Sequence, residues 1–109
     1  MKDDSFRDFV LEQLGGNGRV VCRAMFGGYG LYRENAFFGI IFKGRLYFKV
    51  SEASRADYVA AGKLMFKPSA KMTLKSFYEV PEDVLESRFL ILEWAETAIR
   101  TANKSRKTV

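Results

Sequence analysis

Apolar positions fall at helical spacing near both ends of the chain and in strand-like runs between them. Phe6, Phe9, Val10 and Leu14 form one stripe behind Asp3-Asp4-Ser5, whose side chains can cap and charge a helix start, and Gly15-Gly16 predicts the stop. Such a helix lays its stripe on a sheet and turns Arg7, Asp8 and Glu12 to water. Arg19 to Phe26 then reads as a strand. The glycines at 27, 28 and 30 bend the chain into a second strand ending near Arg33, with Glu34-Asn35 as the next turn. Ala36 to Phe42 is almost wholly apolar, as a central strand would be, and Lys43-Gly44 gives a two-residue hairpin turn into Arg45 to Val50. There Leu46 and Phe48 alternate with Arg45, Tyr47 and Lys49, which predicts one buried face and one aromatic and basic face.

Ser51 and Ser54 can cap a short helix through Tyr58, Val59 and Ala60 that Gly62 ends. Lys63 to Lys75 alternates loosely, predicting a strand, a loop around Pro68-Ser69 and a further strand through Phe77 to Val80. Pro81, Glu82 and Asp83 suit a helix start, and a short helix through Leu85 precedes a long one from about Ser87 to Ala102. Ile91, Trp94, Ala95, Ala98, Ile99 and Ala102 share one face of it, opposite Glu93, Glu96, Thr97 and Arg100. Hairpin turns abound and no βαβ crossover is long enough for a parallel sheet. The expected fold is a two-layer α+β domain over residues 1–102, mainly antiparallel with helices on one face, followed by a disordered basic tail at 103–109.

At 109 residues, with 48% hydrophobic and 15% aromatic composition, the chain suits one self-sufficient core. The single cysteine, Cys22, cannot form an internal disulfide, and no signal segment or long apolar run is present, so the cytoplasm is the expected compartment. Histidine is absent, which removes the commonest general base and metal ligand and argues against most hydrolytic and zinc chemistry. The net charge of +5 is concentrated at the end of the chain: without Arg100, Lys104, Arg106 and Lys107 the body carries only about +1. Lysines elsewhere read as solvated surface and sheet-edge protection.

Gly27-Gly28-Tyr29-Gly30 looks like a phosphate loop but lacks a following Gly-Lys-Ser/Thr or helix, since Leu31-Tyr32-Arg33 continues as strand; it reads as a backbone bend. Arg45 to Lys49 interleaves basic and aromatic residues as single-strand nucleic-acid platforms do, though any half-exposed strand shows the same alternation. The carboxylates at 82, 83 and 86 are explained by a helix start. Cys22 in its apolar strand reads as an inert buried thiol, and Trp94 as core.

Three runs, Arg23-Ala24-Met25-Phe26-Gly27-Gly28-Tyr29-Gly30-Leu31-Tyr32, Gly44-Arg45-Leu46-Tyr47-Phe48-Lys49 and Ser76-Phe77-Tyr78-Glu79-Val80-Pro81, in this order and spacing, resemble the N-terminal domain of the TfoX/Sxy family of natural-competence regulators. Trp94-Ala95 fits the same pattern, while Met72 stands a few residues early. The resemblance covers about residues 5 to 102, with a short basic tail where those regulators carry a second, helical domain. It implies a small antiparallel α+β fold similar to type III secretion chaperones, no enzymatic activity, no cofactor, and regulation through a protein partner, the cyclic-AMP receptor protein. Partner contact is expected on the exposed sheet face or edge through Tyr29, Tyr32, Tyr47 and Lys49, and a homodimer is an expected assembly. Two alternatives stay open: a nucleic-acid module using Arg45, Lys104, Arg106 and Lys107, and a small-ligand protein or enzyme built around the glycine run.

Overall fold

In a computed structural model, which describes residues 2–15, 19–25 and 27–107, six strands form one antiparallel sheet with four helices. The elements run α1 (Lys2–Gln13), β1 (Val20–Met25), β2 (Gly28–Arg33), β3 (Ala36–Phe42), β4 (Arg45–Lys49), α2 (Glu52–Ala60), β5 (Met65–Ser69), β6 (Met72–Glu79), α3 (Glu82–Leu85) and α4 (Arg88–Lys107). The strand order is β1-β2-β3-β4-β6-β5. This is the two-layer α+β fold the pattern predicts.

Turn chemistry sets two of the first three sheet connections. The β2–β3 turn holds Glu34 and Asn35 at φ of 52° and 71°, and the β3–β4 turn holds Lys43 and Gly44 at 52° and 75°. Positive φ at both central residues follows the twist of the flanking strands. Between β1 and β2 the constraint is crowding. A Cβ on Gly28 would lie 2.1 Å from the Ile41 backbone carbonyl oxygen, which leaves no room for a side chain, and one on Gly30 would lie 2.6 Å from the Met25 sulfur, which would have to move aside. The glycine run is a bend, as read; Gly16 and Phe26 lie outside the described residues.

The helices cover one sheet face. Ser51 caps α2 by accepting from the Ser54 backbone N–H, and the Ser54 hydroxyl accepts from Ser51 N–H in return. Ser87 accepts from Leu90 N–H at the start of α4. Val10 of α1, Tyr58 of α2, Val84 of α3 and Ile91, Ala95 and Ala98 of α4 bury against Leu31, Phe38, Ile41, Leu46 and Phe48. Polar ties fix the layers: Gln13 donates to the Leu85 carbonyl at 3.0 Å, and Arg33 pairs with Glu96 at 3.2 Å.

Three details depart from the sequence pattern. Phe9 is exposed, so the α1 stripe is narrower than its four apolar residues suggest. Pro68 lies within β5 and the turn follows it, because β5 is an edge strand that can spare a backbone donor. Helix α4 runs to Lys107 where a disordered tail from 103 was expected; Lys and Arg are good helix formers, and their charge opposes the negative helix end.

Candidate functional site

The sheet face away from the helices is built by strands alone. In β3 the ladder to β2 slips by one residue: Leu31 pairs with Gly39 and Tyr32 with Phe37, leaving Phe38 as the extra residue of a bulge. The slip lets Phe38 stay in the helix-side core while Phe37, Ile40 and Phe42 turn to the other face. There Ile40, Tyr47, Phe66 and Phe77 form a second, smaller core, with Phe37, Phe42 and Leu74 partly covering it. The rings of Tyr47 and Phe66 meet edge to face at 4.7 Å, and Phe42 meets Phe66 in the same way at 5.4 Å.

Beside this core an aromatic row crosses the sheet. Tyr32 stacks on Phe37 with centroids 5.0 Å apart and an interplanar angle of 23°, and Phe37 meets Phe77 at 5.0 Å. A cation stands at each end: the Arg23 guanidinium lies 5.2 Å from the Tyr32 centroid and the Lys49 ammonium 5.4 Å from that of Phe77. Arg23 is exposed, while Tyr32, Phe37 and Lys49 are half-buried.

The four residues expected at a partner surface therefore separate. Tyr32 and Lys49 belong to the row. Tyr47 shares their face but is buried against the ring of Phe66, which extends to it from β5, a strand that pairs with β6 through two register irregularities. Burial, and then the nearby Glu79 carboxylate, raise the Tyr47 hydroxyl above its ordinary pKa. Tyr29 lies on the helix side, where its hydroxyl donates to Asp4 and accepts from Arg7 at 3.2 Å. That hydrogen bond lowers the Asp4 carboxyl and raises the Tyr29 hydroxyl, so Tyr29 ties α1 to β2.

The nucleic-acid candidates do not converge either. Arg45 stands on the helix-free face and binds both Glu79 carboxylate oxygens at 3.1 Å, whereas Lys104 is exposed on α4, across the sheet. Arg106 and Lys107 continue the α4 backbone, and their side chains lie outside the described residues. Cys22 is half-buried, and burial pushes its thiol up, away from the reactive thiolate. Arg23, Phe37 and Phe77 were not singled out from the sequence; only the slip in β3 and the pairing of β4 with β6 place them in one row.

The family model for the TfoX N-terminal domain matches residues 12–102. The chain belongs to this family. A TfoX relative from Aliivibrio fischeri, named DNA transformation protein TfoX1, is 36% identical over 67 residues, which make up 60% of this chain. The match spans about a third of that relative's length, 32%. In this TfoX N-terminal domain the matched segment includes every strand, so both sheet faces lie inside it. Among the described residues no helix is long and apolar enough to cross a membrane.

Proposed function

We propose that the chain is a non-enzymatic protein-binding module in the regulation of DNA transformation, and that it meets its partner with the helix-free sheet face. The observation that carries this reading is the row Arg23, Tyr32, Phe37, Phe77 and Lys49. Tyr32 and Phe37 are half-exposed and Phe77 is buried beneath the row; half-exposed aromatics with cations at the ends of the row provide contact area at little conformational cost and a means of orienting an acidic partner. The same row is poorly suited to single-stranded nucleic acid, because a base needs a ring face presented to it. Here the rings engage one another and their flanking cations.

The proposed partner is the cyclic-AMP receptor protein, on the strength of the family and of a relative named for DNA transformation. The test is a pull-down of that receptor, with cyclic AMP, on the immobilised chain. Retention above background is expected, and the double substitution Tyr32→Ser with Lys49→Glu should reduce it about tenfold, in line with loss of an aromatic and a charged contact. Background-level retention by the unsubstituted chain would overturn the choice of partner. Full retention by a folded double variant would overturn the choice of face.

A further inference from the structure

On the opposite side of the molecule, α2 and α4 enclose a cleft of about 520 Å³, within the size range of small-ligand sites. Asp57 and Tyr58 of α2 face Glu93, Trp94, Thr97 and Arg100 of α4 across it. Tyr58 and Trp94 meet edge to face, with centroids 4.6 Å apart, and make its aromatic wall.

Tyr58 is only 3% exposed, yet its hydroxyl makes no hydrogen bond among the described residues. Among the described residues, every polar side-chain atom that is cut off from solvent has a partner, so the unpaired hydroxyl keeps some access to solvent, and the cleft is the open space that Tyr58 lines. Burial, with a smaller effect from Asp57, raises its pKa and keeps it protonated, with oxygen lone pairs free to accept.

The charges around this hydroxyl are unequal. Glu96 is committed to Arg33. Asp57 and Glu93 make no ion pair among the described residues, and Arg100 reaches only the Thr97 hydroxyl, at 3.4 Å. The free groups at the cleft are thus two carboxylates, a phenol oxygen and an indole against one cation, which is an acceptor-rich and aromatic surround. No three His, Cys, Asp or Glu side chains converge as metal ligands would among the described residues, which favours an extended organic cation over a metal ion.

We infer that the α2–α4 cleft is a binding site for a guanidinium or primary ammonium group, held by Asp57, Glu93 and the Tyr58 hydroxyl against Trp94. The carboxylates accept charge-assisted hydrogen bonds, Tyr58 accepts one more, and the indole adds a cation–π contact. Such a group can belong to a free diamine-like molecule or to an arginine side chain of a partner.

Trp94 is the only tryptophan, so its fluorescence reports on the cleft directly. The experiment titrates the whole chain at constant ionic strength with agmatine, with N-acetyl-arginine amide as a stand-in for a protein side chain, and with sodium chloride as control. A saturable change in emission is expected with agmatine but not with salt. Affinity should fall about tenfold in Glu93→Gln and in Asp57→Asn and several-fold in Tyr58→Phe, and should rise in Arg100→Gln, which removes the opposing charge. Equal binding of the capped arginine assigns the site to a partner's side chain; binding of agmatine alone assigns it to a free cation. No saturable change with either probe, or equal affinity in all four variants, overturns the proposal. All four positions are at the cleft and none belongs to the aromatic row, so failure here leaves the partner face untouched.

Discussion

On the helix side of the sheet, Phe38 and Phe48 are fully buried with ring centroids 5.9 Å apart; on the other side, Tyr32 and Phe37 stack 5.0 Å apart and stay half-exposed. Strand β3 supplies one ring to each pair, Phe38 to the first and Phe37 to the second. What differs is the cover: α4 seals the first face, whereas the second has only its own rings and the reach of β5. A sheet face without helices still removes apolar surface from water when a bulge and a bent edge strand fold its rings over one another. The row that remains half-open is the surface proposed to meet the partner.

The sharpest way to break this contrast is to remove a ring from each face. Phe48→Ala should cost about 3–5 kcal/mol in chemical denaturation, because the helices above it cannot collapse into the void. Phe37→Ala should cost only about 1–2 kcal/mol, since its ring contacts are partly solvated already, while weakening receptor retention more than stability. Equal losses from the two substitutions would mean that the helix-free face is core in the same sense as the other. The smallest effect comes from pH. Tyr58 on the helix side and Tyr47 on the other both have hydroxyls raised by burial above their ordinary value of 10.0. The unfolded chain ionises first, so their contribution is fully present below about pH 10 and is lost as pH rises above it. Denaturation midpoints followed through that range should therefore decline, and less steeply in Tyr47→Phe and Tyr58→Phe.

Much of the fold was legible because local chemistry and tertiary structure agree. Asn35 and Gly44 sit where two-residue hairpins need positive φ, Ser51 and Ser54 make the reciprocal cap they suggest, and α4 buries the face its period marks out. The candidate surface was less legible because it depends on strand order. Alternation in Arg45 to Lys49 separates the faces correctly but says nothing of Phe66 arriving over Tyr47 from β5. The extra residue at Phe38 interrupts the alternation that an unbroken strand would keep. Tyr29 misleads for a similar reason: an aromatic in a glycine run looks exposed until α1 brings Asp4 and Arg7 to its hydroxyl. Trp94 reads as core by its spacing, and it does pack on Tyr58, but the same residue lines the cleft.

The strand order also sorts the sheet's pairings by the length of chain between them. Strands β1 to β4 join by successive hairpins whose closures are short and local, but β6 must cross back over α2 and β5 to lie against β4. Among the described residues β5 has β6 as its only partner in the sheet and carries a proline in the ladder, so it is held to the sheet entirely through β6. The β5–β6 hairpin therefore hangs on the β4–β6 pairing, which joins residues far apart in the chain. Because Phe66 belongs to that hairpin, the second core is complete only while this long-range pairing holds.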